Sequence, residues 1–355
     1  MIRVFLVLAA CPLWVMCSGS SSRGGAAHGY WSESCLSGDG RYLLAGGDHA
    51  GLVDLTTGKI VERVPGMVKA VGCDEIGGVV VGYVTAVRLP GKTATPVPPL
   101  SGDRVLARAP GGAWISEGRR ISGGRWRGPA SVFVLEKGSS RPMDLLPARF
   151  GAVGAARPLP TPDSFAVRFG NLLRDGRLVL AAGWQPSRSG RVVEDVPWAF
   201  FALDLGTGEA APLTLPLDST AAMNQNLLQR IAATPDAAHL VLAVHDGEQM
   251  SVAQFDQGAR RASQVTSLAA QGSPSAAAIS DDGAFVAVGS ETRGRDAPGK
   301  VWVIDRAGKT VWTAEFEKTV AGVHFLSDGS LVVVAGEVKA VKVALPAGAE
   351  TWRAE

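Results

Sequence analysis

Aspartate, arginine and cysteine are the residues of this chain whose spacing could do chemistry. Asp39, Asp282 and Asp328 recur in one phrase, Ser37-Gly38-Asp39-Gly40, Ser280-Asp281-Asp282-Gly283 and Ser327-Asp328-Gly329, with Asp175 and Asp236 in degenerate copies. Recurring carboxylates can be read as an acidic cluster. An Asp before Gly also caps a turn, because its side chain accepts hydrogen bonds from nearby backbone N–H groups, and that structural role is the expectation here. Gly91-Lys92-Thr93 and Gly308-Lys309-Thr310 mimic the end of a phosphate-binding loop, yet Ala86 and Val303 stand where its first glycine belongs. Both fall in hairpins with no helix after them, so neither is expected to hold phosphate. No Gly-x-Ser-x-Gly elbow presents a nucleophile. His28, His49, His239, His245 and His324 lie far apart and no CxxC pair occurs, so neither a metal centre nor a redox motif is expected. No catalytic residue, cofactor or metal ligand is assigned.

The arginines are more distinctive. Arg119-Arg120-Ile121-Ser122-Gly123-Gly124-Arg125-Trp126-Arg127-Gly128 places four guanidiniums around one indole. Such a set suits an anionic polymer, a phosphate headgroup or an acidic protein surface. The alternative is a solvated hairpin whose Trp126 packs on its own sheet. The insertion 183–197, with Trp184, Arg188 and Arg191, carries a second, weaker signal. Between Arg104 and Arg191 there are 15 Arg or Lys against 5 Asp or Glu, a local charge of +10 in a chain whose net charge is +2. One side of the molecule is therefore expected to be basic, or its arginines are scattered around a solvated rim. The small overall charge argues against a dedicated nucleic-acid binder.

The elements that position these residues are repeats. Each polar turn feeds a run of apolar residues that ends on glycine, as in Phe285-Val286-Ala287-Val288-Gly289 and Leu331-Val332-Val333-Val334-Ala335-Gly336. A second turn also recurs: Asp54-Leu55-Thr56-Thr57-Gly58-Lys59, Asp204-Leu205-Gly206-Thr207-Gly208-Glu209, Asp305-Arg306-Ala307-Gly308-Lys309 and, loosely, Asp256-Gln257-Gly258. The apolar runs do not alternate, which predicts strands buried on both faces. Connections of a few residues require antiparallel hairpins and leave no crossover helix to cover a sheet. Doubly covered antiparallel sheets must stack on one another, and a radial stack of four-stranded sheets does this while keeping edges short. The repeats parse into seven units at about 30–66, 67–100, 101–148, 149–216, 217–270, 271–316 and 317–353; six or eight units remain compatible with the same signals. With 355 residues, 46% hydrophobic, 44 Gly and 21 Pro, the chain has the apolar mass and the turn material such an all-β fold needs.

The N-terminus reads differently. Arg3 precedes a run of about 13 apolar residues ending at Met16, too short to span a bilayer and suited to a secretory signal. Cys17-Ser18-Gly19-Ser20-Ser21-Ser22 follows. A cysteine at the end of such a run, followed by a Ser/Gly tether, resembles a bacterial lipoprotein signal, although Met16 and Trp14 depart from the residues usual there. The resemblance implies residues 1–16 as signal peptide, lipidation at Cys17, and 17–29 as a flexible tether holding domain 30–355 off a membrane. Ordinary secretion is the alternative, and both put the domain outside the cytoplasm. Cys35 and Cys73 fall on the first strands of adjacent units. A disulfide is compatible with an oxidising compartment, but two buried free thiols are favoured because first strands of neighbouring units do not hydrogen-bond to each other.

The Ser-x-Asp-Gly turn before an apolar strand and the Asp-x-x-Thr-Gly-Lys hairpin resemble the WD-repeat and YVTN-type β-propeller superfamily over about residues 30–353. No unit ends in Trp-Asp and none opens with Gly-His, so the resemblance is to a divergent bacterial member. One unit, Val301-Trp302-Val303-Ile304-Asp305 through Trp312, is also similar to the quinoprotein-type repeat of outer-membrane assembly lipoproteins, and it alone is credited with the terminal Trp. The resemblance implies a seven-bladed propeller acting as a non-catalytic, membrane-tethered scaffold for an envelope protein. Alternatives are a propeller hydrolase such as a lactonase, or an outer-membrane assembly or glycan-binding lipoprotein.

Overall fold

The computed structural model describes residues 34–354 apart from 48, 67, 69, 75, 83–85, 96–103, 109–113, 123–124, 137–138, 152–164, 185–197, 218–228, 246–248, 270–271, 292–297 and 337–338. The regular structure of the described residues is β, apart from a 3-10 turn at Pro147–Phe150, and none of their helices is long and apolar enough to cross a membrane. The first sheet holds β1 (Ser34–Leu36), β2 (Tyr42–Gly46), β3 (Ala50–Asp54) and β4 (Lys59–Val64), and the second β5 (Ala70–Asp74), β6 (Gly77–Val81), β7 (Ala86–Leu89) and β8 (Thr93–Thr95). The third is built from β9 (Arg104–Arg108), β10 (Trp114–Ser122), β11 (Arg125–Glu136) and β12 (Ser139–Asp144), the fourth from β13 (Phe165–Leu172), β14 (Leu178–Trp184), β15 (Trp198–Leu203) and β16 (Ala210–Pro212). Next come β17 (Gln229–Ala233), β18 (His239–His245), β19 (Met250–Asp256) and β20 (Gln264–Leu268), then β21 (Ser273–Ile279), β22 (Phe285–Glu291), β23 (Gly299–Asp305) and β24 (Thr310–Phe316). The last sheet is β25 (Val320–Phe325), β26 (Leu331–Ala335), β27 (Lys339–Ala344) and β28 (Ala349–Ala354). Every sheet is a four-stranded antiparallel meander in sequence order, and seven such sheets are formed by the described residues.

The sheets form a ring. The first strand of each contacts the first strand of the next, and β25 returns to β1. The ring closes without exchange of a strand among the described residues: Ser34 Oγ on β1 lies 2.8 Å from His324 Nε2 on β25. A cluster including Leu43, Val53, Leu55, Val332, Val334 and Ala354 packs the last sheet on the first.

The non-alternating runs behave as expected. β3, β6 and β26 are buried at every residue, whereas β4 alternates exposed and half-buried positions because it is the outer edge of its sheet. Middle strands are covered on both faces by neighbouring sheets, as where Phe200 of β15 meets Phe255 of β19 with ring centroids 5.5 Å apart. Burying such side chains stabilises by about 1.5–3 kcal/mol each.

A second contact repeats between sheets. The hairpin joining the third and fourth strands of a sheet leans on the outer edge of the sheet before it. Gly91 N–H donates to Glu62 Oε1 (2.8 Å), Arg149 Nη1 donates to Gly208 O (2.8 Å), Gly258 N–H to Leu213 O (2.7 Å) and Thr266 Oγ1 to Gly308 O (3.2 Å). At the closure Trp352 Nε1 donates to Leu55 O (3.2 Å), and its ring lies so close to Gly58 that a Cβ there would sit 2.7 Å from Cδ2. Trp312 meets Gly348 in the same way. Trp352 thus occupies the terminal position that the sequence reading credited to Trp312 alone. Both pair with the third strand next to a bulge, Trp312 opposite Val303 and Trp352 opposite Lys342.

The cysteines correct the expectation of free thiols. Cys35 on β1 and Cys73 on β5 are joined in a disulfide, with their Cα atoms 5.8 Å apart. Such a bond needs a Cα separation of about 4.4–6.8 Å, not backbone pairing, and neighbouring inner strands of the ring supply that spacing.

Candidate functional site

The recurring aspartates are turn caps. Ser37 Oγ donates to Asp39 Oδ1 (2.6 Å), Arg41 N–H donates to the same oxygen (3.0 Å), and Tyr42 N–H returns to Ser37 Oγ (2.9 Å). Around Asp282 the same three bonds come from Ser280 Oγ (2.7 Å), Ala284 N (3.0 Å) and, onto Ser280 Oγ, Phe285 N (2.9 Å). Thr234, Asp236, Ala238 and His239 repeat the set. Ionised carboxylates are what these donors stabilise. The Ser37 hydroxyl before all else holds Asp39 below its ordinary range, and the Ala284 N–H does the same for Asp282. Burial works against ionisation of Asp328, but Lys342 and Ser330 outweigh it and hold that carboxyl at about 2. These oxygens are consumed by the fold, and among the described residues no three His, Cys, Asp or Glu side chains are gathered to hold a metal ion.

Topology separates the two ends of the ring. First-to-second and third-to-fourth strand connections lie on one face, and second-to-third and fourth-to-first connections lie on the other. The first face is made largely of the tight Asp/Gly turns: Gly40, Gly176, Gly283 and Gly329 at one set of turns, Gly58, Gly208, Gly258, Gly308 and Gly348 at the other, all with positive φ. The second face carries the long connections, including 145–164, 185–197, 213–228 and 292–298. Both basic segments singled out in the sequence are second-to-third connections, β10 to β11 and β14 to β15. The strands that flank them, β10 and β11 and then β14 and β15, therefore meet the same face of adjacent sheets.

β10 and β11 are unlike their counterparts. They have 9 and 12 residues, against 5 in β9 and 6 in β12. β9 pairs with β10 only from Trp114 to Glu117, and β12 pairs with β11 only from Ser131 to Glu136. Above that four-stranded body the pair continues as a two-stranded ribbon, with Arg119 opposite Ala130, Ile121 opposite Trp126, Ser122 opposite Arg125, and a register shift between Arg119 and Ile121. The arginine segment is thus strand nearly to its tip, and Arg119, Arg120, Arg125, Trp126 and Arg127 all belong to it. Trp184 closes β14, its backbone opposite Phe165. Arg188, Arg191 and Cys17 lie outside the described residues.

The interior holds polar groups the sequence reading did not single out. His324, beside Ser34, is partly accessible, yet desolvation of its ring pulls its pKa down to about 4. A serine next to a histidine is half of a nucleophilic relay. The contact ties the last sheet to the first, and desolvation makes this imidazole a weaker base than one in water. Burial pushes Glu291, at the end of β22, up to about 7, only partly opposed by Arg230. Arg230 Nε donates to Ser275 O (2.8 Å), and the buried Ser275 Oγ has no protein partner. At another sheet boundary Asp256 Oδ1 accepts from His239 Nδ1 (2.9 Å) and from Arg306 Nη2 (3.0 Å). Partners 290 residues apart, as Ser34 and His324 are, leave no local signal that could have paired them in advance.

No protein-family model matches the chain, and no curated protein matches it. Solved structures do. A complex of KlAtg21 with the coiled-coil of AgAtg16 superposes with a TM-score of 0.54 at 10% identity, over 89% of this chain and 94% of that one. The β-propeller domain of Myceliophteria thermophila Cps50 (Swd1) gives 0.52 at 10% identity, over 86% and 93%. Hydrazine synthase of Kuenenia stuttgartiensis gives 0.50 at 14% identity, over 90% and 95%. At these identities the likeness concerns the fold alone: the chain is a β-propeller of four-stranded antiparallel sheets.

Proposed function

We propose that the protein is a non-catalytic interaction scaffold of the bacterial cell envelope, a seven-bladed propeller tethered to a membrane through lipidated Cys17 and the segment 17–29. The observation that carries the scaffold reading is the asymmetry of the ring. One face is occupied by tight turns whose carboxylates are consumed in capping, while the strands that bear the long connections open onto the other, where an envelope protein held at the same membrane would dock. The Cys35–Cys73 disulfide supports an extracytoplasmic address, because such bonds persist in oxidising compartments. The experiment is affinity isolation of the full chain from envelope membranes after brief crosslinking, together with elemental analysis of the purified protein. The expected result is a stoichiometric envelope protein that is lost when 183–197 is replaced by a short Gly/Ser link. A stoichiometric divalent metal, or turnover of lactones by the purified chain, overturns the scaffold reading in favour of a propeller hydrolase.

A further inference from the structure

The ribbon of β10 and β11 and the start of β1 lie at the same end of the ring. β1 begins at Ser34 and runs toward the tight-turn face, since the connection after it is the Ser37–Arg41 turn. Its first residue is therefore on the face of the long connections, and Cys17 stands seventeen residues before it in the sequence. The ribbon rises from that same face, above the four-stranded body of its sheet. It carries four arginines and one tryptophan between Arg119 and Arg127, with no acidic residue between Glu117 and Glu136.

We propose that this ribbon is a docking surface for anionic lipid headgroups and that it turns the long-connection face of the ring toward the membrane that holds the tether. The inference rests on the tether reading for which membrane is met. A basic patch beside a lipid anchor adds an electrostatic contact to anionic lipids and fixes which face of the domain meets them. Guanidiniums pair bidentately with phosphate oxygens, and tryptophan favours the depth of the headgroups. A ribbon projecting beyond its sheet reaches a flat surface that recessed charges on the ring's rim would not. The opposite face has no comparable run of arginines among the described residues: its exposed cations, among them Arg41, Lys59, Lys92, Arg174, Arg260, Arg261, Arg306 and Lys309, are spread one or two to a turn over separate connections.

The test uses the full chain carrying Cys17→Ser, so that no acyl group contributes, and vesicles of phosphatidylcholine with or without about one third phosphatidylglycerol. Each arginine near an anionic surface is worth about 1 kcal/mol, or roughly fivefold in binding. The quadruple variant Arg119→Ala/Arg120→Ala/Arg125→Ala/Arg127→Ala should bind the anionic vesicles at least tenfold more weakly than its parent. The charge-matched control Lys59→Ala/Lys92→Ala/Arg306→Ala/Lys309→Ala should change binding by less than threefold. Parent binding should fall steeply as salt rises, and it should be weak on phosphatidylcholine alone. Melting midpoints within a few degrees of the parent establish that both variants fold. Equal loss in the two variants, undiminished binding by the ribbon variant, or equal binding to both vesicle types overturns the proposal. The tether reading fails separately: Cys17→Ser would then leave the membrane fraction of the protein in cells unchanged, whatever the vesicles show.

Discussion

His324 makes the stability of the ring depend on pH in a direction that can be worked out in advance. Its folded pKa is about 4 against an ordinary 6.5, so the unfolded chain takes up a proton that the folded chain refuses. The contribution is intact above about pH 6.5, declines as pH falls through the window from 6.5 to 4, and levels off below it. A gap of about 2.5 pKa units corresponds to about 3 kcal/mol at the acid end, and about 2 kcal/mol is already lost at pH 5. Glu291 pulls the other way. With its folded pKa raised to about 7 from 4.5, it favours the folded state at low pH and loses that contribution as pH rises from 4.5 to 7. The total profile mixes both groups, so the decisive quantity is a difference. Guanidinium unfolding of wild type and His324→Asn, with the disulfide intact, should be followed from pH 4 to 8. Asn keeps an acceptor for the Ser34 hydroxyl but cannot titrate. Wild type should lose about 2–3 kcal/mol relative to the variant between pH 7 and 4, with the steepest change near pH 5. A difference that stays flat across that range would show that His324 ionises as freely in the fold as outside it, and the desolvation argument would be wrong.

Other outcomes follow from single contacts. Cys35→Ser/Cys73→Ser should lower stability by about 2–5 kcal/mol, and the wild-type chain should show a mobility shift on reduction in a denaturing gel that the double variant lacks. Gly58→Ala should cost about 1–3 kcal/mol, because residue 58 has φ +69 and a methyl there would press on the Trp352 ring; a thermal midpoint within a degree of wild type would count against that packing. Asp282→Ala should cost about 1 kcal/mol through the loss of its two capping bonds, without altering any binding property of the opposite face, which separates a structural carboxylate from a functional one.

Much of the architecture is legible locally. Ser37-Gly38-Asp39-Gly40 and Asp54 through Gly58 specify their turns because the donors, acceptors and positive-φ glycine stand within five residues of one another. Runs such as Leu331 to Ala335 report burial on both faces, which for short antiparallel strands forces sheets to stack. Those two signals are enough to place each observed sheet within its expected unit, with only the last running one residue beyond, to Ala354. The arginine segment shows the limit. Its residue types were visible, but that β10 and β11 outgrow β9 and β12 to make a ribbon is a matter of pairing between strands.

The sequence by itself determined turn chemistry, strand burial and the repeat, because each depends on residues close together along the chain. Tertiary structure alone decided which distant residues meet. Cys35 finds Cys73 because inner strands of adjacent sheets pass at disulfide distance, and Ser34 finds His324 because the last sheet returns to the first. Trp352 covers Gly58 because the third-to-fourth hairpin of the first sheet leans on the last sheet across the closure of the ring. It also decided that the start of β1 and the far ends of β10 and β14 share one face. That follows from the direction of strands in a closed ring, a property of the whole circuit that no stretch of sequence carries.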